Sequence, residues 1–348
     1  MTNVHLKNHV NSTGRGVCLF ILASVTFICL TLNLASNAAS VREETFAALE
    51  FYGSSQISKL ELEKVLALRP GASFRSVSSA IDRLNRVLKT RRLESNVQMV
   101  RGENNEIYLA VDIVGEDNDT PVRHLESPHQ VEFRSEMPVE LLGKLHTRLD
   151  LLDSEGRPPS DEVRDGLKFY SDEPCNQIVK DLMRFGPDMR EELLTLIDHD
   201  PSAVRRSNAV ELLNWAGDVP DTLLRLLPAV DDIDVGVRTL ATRYIFSRLS
   251  MLPDNFPFEE IADVYSRDLT RPSHQDRSKS LIVLLALARQ RPNLLRQIRE
   301  QNAKRISYLK ERSQIPTIKL ACAQLEKLFA RQDAGLVDDK GFLPILPK

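Results

Sequence analysis

Glycine is scarce in this chain, at 14 of 348 residues, and aromatic residues make up only 6%. A β-rich fold with many tight turns needs more glycine than this, as does a glycine-lined phosphate cradle, so the shortage points towards helices. Charge of one sign is missing too: 46 Lys and Arg face 49 Asp and Glu, a formal net charge of −3. Nothing in that balance calls for nucleic acid or another polyanion as partner. Four cysteines are too few for a disulfide framework. Two of them sit in an apolar leader, and the remaining pair, Cys175 and Cys322, fall far apart on expected helices and read as small buried thiols.

Catalytic signatures are missing as well. His124, His129, His146, His199 and His274 show no metal-ligand spacing of the H-E-x-x-H kind. Beyond the leader there is no G-x-S-x-G elbow around a serine, no G-x-x-x-x-G-K-[S/T] loop and no G-x-G-x-x-G fingerprint. The expectation is therefore no catalytic residue, no cofactor and no metal.

What is present begins with an address. Met1 to Gly16 is polar, with Lys7 and Arg15 and no acid; Val17 to Leu34 is almost unbroken apolar sequence, followed by the small residues of Ser36-Asn37-Ala38-Ala39. Residues 1–39 read as a secretory signal peptide, with an uncleaved membrane anchor as the alternative, and both readings export the rest of the chain. Cleavage leaves 44 basic and 49 acidic residues, a net −5.

Residues 43–115 read as strand, helix, helix, strand, strand. Thr45 to Tyr52 is the first strand, and Lys59 to Ala67 is a helix broken at Arg69-Pro70-Gly71. Ser76 to Lys89 places Val77, Ile81, Leu84 and Leu88 at intervals of three and four. Val97 to Arg101 and Glu106 to Val114 form a hairpin, and Ile107, Leu109, Val111 and Ile113 alternate with outward neighbours such as Asp112. The pattern predicts a three-stranded sheet with one face covered by helices. Phe51-Tyr52-Gly53, Ile57, Leu62, Leu66, Pro70-Gly71, Phe74, the second helix and the closing strand together resemble a POTRA domain. That resemblance implies an extracytoplasmic protein-interaction module of the kind found in bacterial envelope and outer-membrane assembly factors. Independently of the name, a small sheet offers an edge to which an extended client segment can add through backbone hydrogen bonds. Ile107, Leu109 and Val111 are the candidate edge residues. Arg83, Arg86, Lys89, Arg91 and Arg92 form a basic patch on and after the second helix, which reads as a solvated face or as a contact for an acidic protein or lipid headgroup.

Residues 116–133, with Glu116-Asp117-Asn118-Asp119, Pro121 and Pro128, lack apolar periodicity and are expected to be a linker. Residues 134–186 follow as a helical region in which Val139 to Leu152, Val163 to Tyr170 and Ile178 to Phe185 have helical spacing. From 187 to 331 a repeat emerges. A cation followed three residues later by a small residue opens the second helix of each unit: Arg206 with Ala209, Arg238 with Ala241, Arg277 with Ser280 and Lys319 with Cys322. Asp232 and Asp234 precede Arg238, placed to cap the helix and pair with an adjacent unit. These residues resemble HEAT repeats, which implies an all-α right-handed helical-repeat solenoid with a concave binding surface. Arg206, Arg238, Arg277 and Lys319 read as an inter-repeat ladder. The only tryptophan, Trp215, is expected to pack inside the array. Arg289 to Arg312 is basic and amphipathic, with eight Lys or Arg against two Glu, and residues 332–348 read as a flexible tail.

The expectation is an α+β module followed by a helical-repeat solenoid. Its function is that of a non-enzymatic, exported scaffold binding protein partners of the cell envelope, in the periplasm or beside the outer membrane. Membrane association arises through a retained anchor or an envelope complex. The alternative is an exported enzyme or lyase-like helper acting on a small ligand in the concavity, whose mark would be titratable side chains converging there.

Overall fold

The computed structural model describes residues 43–53, 56–115, 125, 128–338 and 341–342. The leader at 1–39, most of the expected linker and the end of the tail lie outside the described residues. Among those described, no helix is long and apolar enough to cross a membrane.

The chain opens with β1 (Thr45–Tyr52), α1 (Lys59–Leu66), α2 (Phe74–Thr90), β2 (Ser95–Arg101) and β3 (Glu106–Ile113). Ser58 caps α1 with a full capping box to Glu61, and Ser73 caps α2, satisfying amides that the first turns leave open. Gly53 ends β1 at φ +130, where an added Cβ would stand 2.4 Å from the carbonyl oxygen of Ile113. The sheet order is β1-β3-β2, with β1 parallel and β2 antiparallel to the central β3. One face holds Leu49, Ile107, Leu109 and Val111 against Leu62, Val77, Leu84 and Leu88 of the two helices, all buried. Each such side chain stabilises the module by about 1.5–3 kcal/mol.

The opposite face is covered as well, which corrects the one-sided sheet expected from the sequence. Tyr52, Val100, Tyr108 and Ala110 belong to the core of the helical part, so Asp112 is buried rather than outward.

That part comprises α3 (Met137–Ser154), a hairpin of β4 (Asp161–Arg164) and β5 (Leu167–Tyr170), and then α4 (Glu173–His199), α5 (Ala203–Leu212), α6 (Val219–Leu226), α7 (Val235–Arg248), α8 (Phe258–Asp268), α9 (His274–Gln290), α10 (Leu295–Arg312) and α11 (Pro316–Asp333). From α4 onward the helices pack on near neighbours in the chain: α4 on α5 and α6, α8 on α9 and α10, and α10 on α11, while α5, α7, α9 and α11 touch in series. The expected helix at Val163 to Tyr170 is instead the β4–β5 hairpin. Its turn, Asp165-Gly166, takes φ +51 and +78, the left-handed pair that a two-residue hairpin demands. Residue 187 marks no break: Pro187 lies inside the 27-residue α4, beside Gly186, whose hydrogen faces the Trp215 carbonyl. The tail expected from 332 begins inside α11, and Val337–Asp338 pairs with Gly341–Phe342 as a short hairpin.

Candidate functional site

Three arginines build a ladder through the helical part. Each occupies the fourth position of its helix, and each donates from Nη1 to the carbonyl six residues earlier: Arg206 to Asp200 at 2.8 Å, Arg238 to Asp232 at 2.8 Å and Arg277 to Arg271 at 3.0 Å. In the first two, the rest of the guanidinium reaches the residues that open the next rung. Arg206 of α5 grips Asp232 at 2.7 and 2.9 Å, and Arg238 of α7 grips Asp276 at 2.8 and 3.1 Å. A buried guanidinium is tolerated only when its charge and donors are met, and the pairs of Arg206 with Asp232 and Arg238 with Asp276 do this.

At the third rung the ladder leaves the helices. Arg277 of α9 donates to Asp112 of β3 at 2.6 Å, and its guanidinium lies 4.3 Å from the centre of the Tyr52 ring. Lys319 holds the equivalent position in α11 but is exposed and makes no ion pair among the described residues. The expected fourth rung is absent for a physical reason. The turn before α11 carries Ser313 and Gln314 where an aspartate would be needed, and both bind Glu50 of β1, Gln314 through its N–H at 2.9 Å and Ser313 through its hydroxyl. The N-terminal sheet thus stands where a further unit would pair.

All three strands take part. Besides Glu50 and Asp112, Gln98 of β2 accepts the Gln275 N–H at 3.1 Å. His274 adds its own N–H to Asp112 at 3.0 Å and sets its Nδ1 3.4 Å from Glu50. Burial works against the Glu50 carboxylate, but His274, Ser313 and Arg277 outweigh it and hold the pKa below the ordinary value.

The module so fixed leaves one edge open. Gly102 N–H donates to Glu106 at 2.8 Å and Val114 N–H to Glu94 at 2.9 Å, so the even-numbered residues of β2 turn their backbone to β3. Ser95, Val97, Met99 and Arg101 therefore turn their N–H and C=O groups away from the sheet, and these groups have no hydrogen bond among the described residues. The other edge is blunted: Phe46 N–H donates to Ala72 O, and Gly71 and Phe74 N–H close on Phe46 and Glu44.

Ile107, Leu109 and Val111 lie on β3, the central strand, and point under the helices, so they form no edge. Of the basic patch, Arg83 ties the helices together by donating to Leu66 O at 2.6 Å, and Arg91 pairs with Glu61 at 3.3 Å. Arg86, Lys89 and Arg92 are exposed. The basic stretch at 289–312 supplies α10, whose Ile298, Ile306 and Leu309 are buried. Trp215 is buried and donates to Lys168 O at 2.9 Å, while Cys175 and Cys322 are buried free thiols, both pushed up to about 12, chiefly by burial.

Sequence reasoning missed Glu50, Asp112 and Gln98. The available signal was the company they keep, since Ala48, Tyr52, Tyr108 and Ala110 on the supposedly wet face are small or aromatic rather than charged.

A second polar group gathers at the β4–β5 hairpin. His146 pairs with Glu211 at 2.9 Å and Lys168 with Asp161 at 2.8 Å, and Arg243 lies 3.9 Å from Asp161. These are the converging titratable groups that the enzymatic alternative requires, but they satisfy one another. No group of three or more His, Cys, Asp or Glu among the described residues is placed to hold a metal. The chain matches no family model, no curated protein and no solved structure.

Proposed function

We propose that this protein is a non-enzymatic exported scaffold of a bacterial envelope, located in the periplasm or beside the outer membrane. In this reading it engages a protein partner by adding an extended segment of that partner to β2. The observation that carries the reading is the open β2 edge on a sheet whose other face is bolted to the helices by Glu50, Asp112 and Gln98. A pre-ordered edge adds a strand without first paying to fix its own backbone. The signal-like leader supports export, and the β-α-α-β-β order supports the POTRA-like character of the module. The serial helix contacts and the repeated arginine geometry support HEAT-like repeats stacked as a solenoid, whose concave surface is a second place for a partner.

The alternative, an exported enzyme or lyase-like helper holding a small ligand in the helical concavity, draws on the cluster of His146, Glu211 and Lys168. A small ligand that shifts the His146 and Lys168 resonances while leaving β2 untouched would favour it.

Substitution of Val97 tests the leading reading. Its N–H faces away from β3, so Val97→Pro keeps the internal ladder and blocks an incoming strand, while Val97→Ala controls for the lost side chain. Tagged mature protein is used to capture partners from bacterial envelope extract. A stoichiometric partner held by wild type and Val97→Ala but lost from Val97→Pro is the expected result; an identical partner set from all three contradicts it.

A further inference from the structure

Lys279 of α9 is a nearly buried cation whose hydrogen bonds are incompletely filled. Its side chain is 14% exposed, its ammonium donates to Thr239 Oγ1 at 2.5 Å, and the nearest carboxylate oxygen, on Asp276, is 3.8 Å away and belongs to a group already gripped by Arg238. An ammonium has three donors, and no other acceptor among the described residues lies within hydrogen-bond distance of this one. Burial pushes its pKa down to about 8; Asp276 and Asp268 raise it, and Arg238 and Arg243 lower it.

The position of Lys279 relative to the sheet gives that shortfall a meaning. In sheet order, Glu50 of β1 meets the turn before α11, Asp112 of β3 meets the first turn of α9, and Gln98 of β2 meets Gln275. Gln275 in turn reaches Thr239 of α7 at 3.4 Å, the hydroxyl that Lys279 holds. The sheet is thus laid across the starts of α11 and α9 and stops short of α7. A fourth strand, about 4.8 Å beyond β2, continues that row over the start of α7, where Val235 and Ile233 are 41% and 61% exposed.

Resting on the β2-edge reading, we propose that the segment added to β2 carries a carboxylate on its repeat-facing side and that Lys279 is the group that receives it. The partner is an extended peptide of alternating character. Apolar side chains on one face continue the row of Val97 and Met99 over α2, and on the other face an Asp or Glu reaches Lys279 beside a small apolar residue on Val235.

The probes are two fluorescein-labelled octapeptides, Thr-Val-Ala-Val-Asp-Val-Ala-Val and its counterpart with Asn for Asp, titrated into the mature chain. The Asp peptide is expected to bind about tenfold more tightly than the Asn peptide at pH 7, the size of a hydrogen bond to a charged group. Lys279→Met, which keeps the apolar stem, abolishes that preference, and in wild type the preference fades as pH rises past 8 and the amine loses its proton. If both peptides bind wild type equally and Val97→Pro abolishes both, the edge stands and the role of Lys279 is overturned. If neither binds, the edge fails and this inference with it.

Discussion

Arg277 and Asp112 lie 165 residues apart in the chain, and the guanidinium of one donates to the carboxylate of the other at 2.6 Å with both side chains 1% exposed. The contact joins the third rung of a helical ladder to the central strand of a separate module. Removing one partner of such a pair leaves an uncompensated buried charge. Arg277→Met is therefore expected to cost about 3–5 kcal/mol, read as a lower urea midpoint, and the further change Asp112→Asn to return part of it. A loss under about 1 kcal/mol would show that the pair does not join the modules.

The ladder makes a graded prediction along its length. Arg238→Met removes both hydrogen bonds to the buried Asp276 and leaves it only Lys279 at 3.8 Å, which should cost about 3 kcal/mol, whereas Lys319→Met, at the same helical position but exposed, should stay within about 0.5 kcal/mol. Thermal unfolding of the two variants side by side checks this, and equal effects would refute the assignment of three rungs.

His146 gives the pH dependence a sign. Burial opposes its charge, but the hydrogen bond and charge of Glu211 outweigh that and raise its pKa above 6.5. A raised pKa means that the pair contributes fully below 6.5 and is lost as pH climbs through the folded-state value. Urea midpoints measured from pH 6 to pH 9 should decline more steeply for wild type than for His146→Gln; parallel curves would contradict the pairing.

Gly186 is a packing prediction. A Cβ there would stand 1.9 Å from the Trp215 carbonyl oxygen, with helix on both sides of the residue. Gly186→Ala should destabilise the chain by about 3 kcal/mol despite its favourable helix propensity, and a neutral or stabilising result in thermal unfolding would show that α4 shifts freely.

The first strand and the two helices of the module are legible because their patterns are local: Thr45–Tyr52 is a short apolar and aromatic run closed by Gly53, and α2 repeats every three or four residues. The arginine rungs were legible for the same reason, since a cation four residues into a helix with a small residue one turn on recurs in the sequence. Lys319 fits that pattern and fails because its partner is decided elsewhere, by Ser313 and Gln314 turning to Glu50. The span Val163 to Tyr170 has helical spacing yet forms the β4–β5 hairpin, for which Asp165-Gly166 is a strong turn signal. Strand order is long-range information. With β3 rather than β1 or β2 at the centre, the residues expected at the edge became core, and the open edge passed to Val97 and Met99.

Residue-resolved hydrogen exchange on the chain tests the openness of β2 most directly. The amides of Asn96, Gln98 and Val100, bonded to β3, should exchange slowly while those of Val97 and Met99 exchange fast, and addition of the captured partner should slow the second set. Val97 and Met99 amides as slow as their neighbours in the isolated chain would mean that the edge is already covered, and the account would fail.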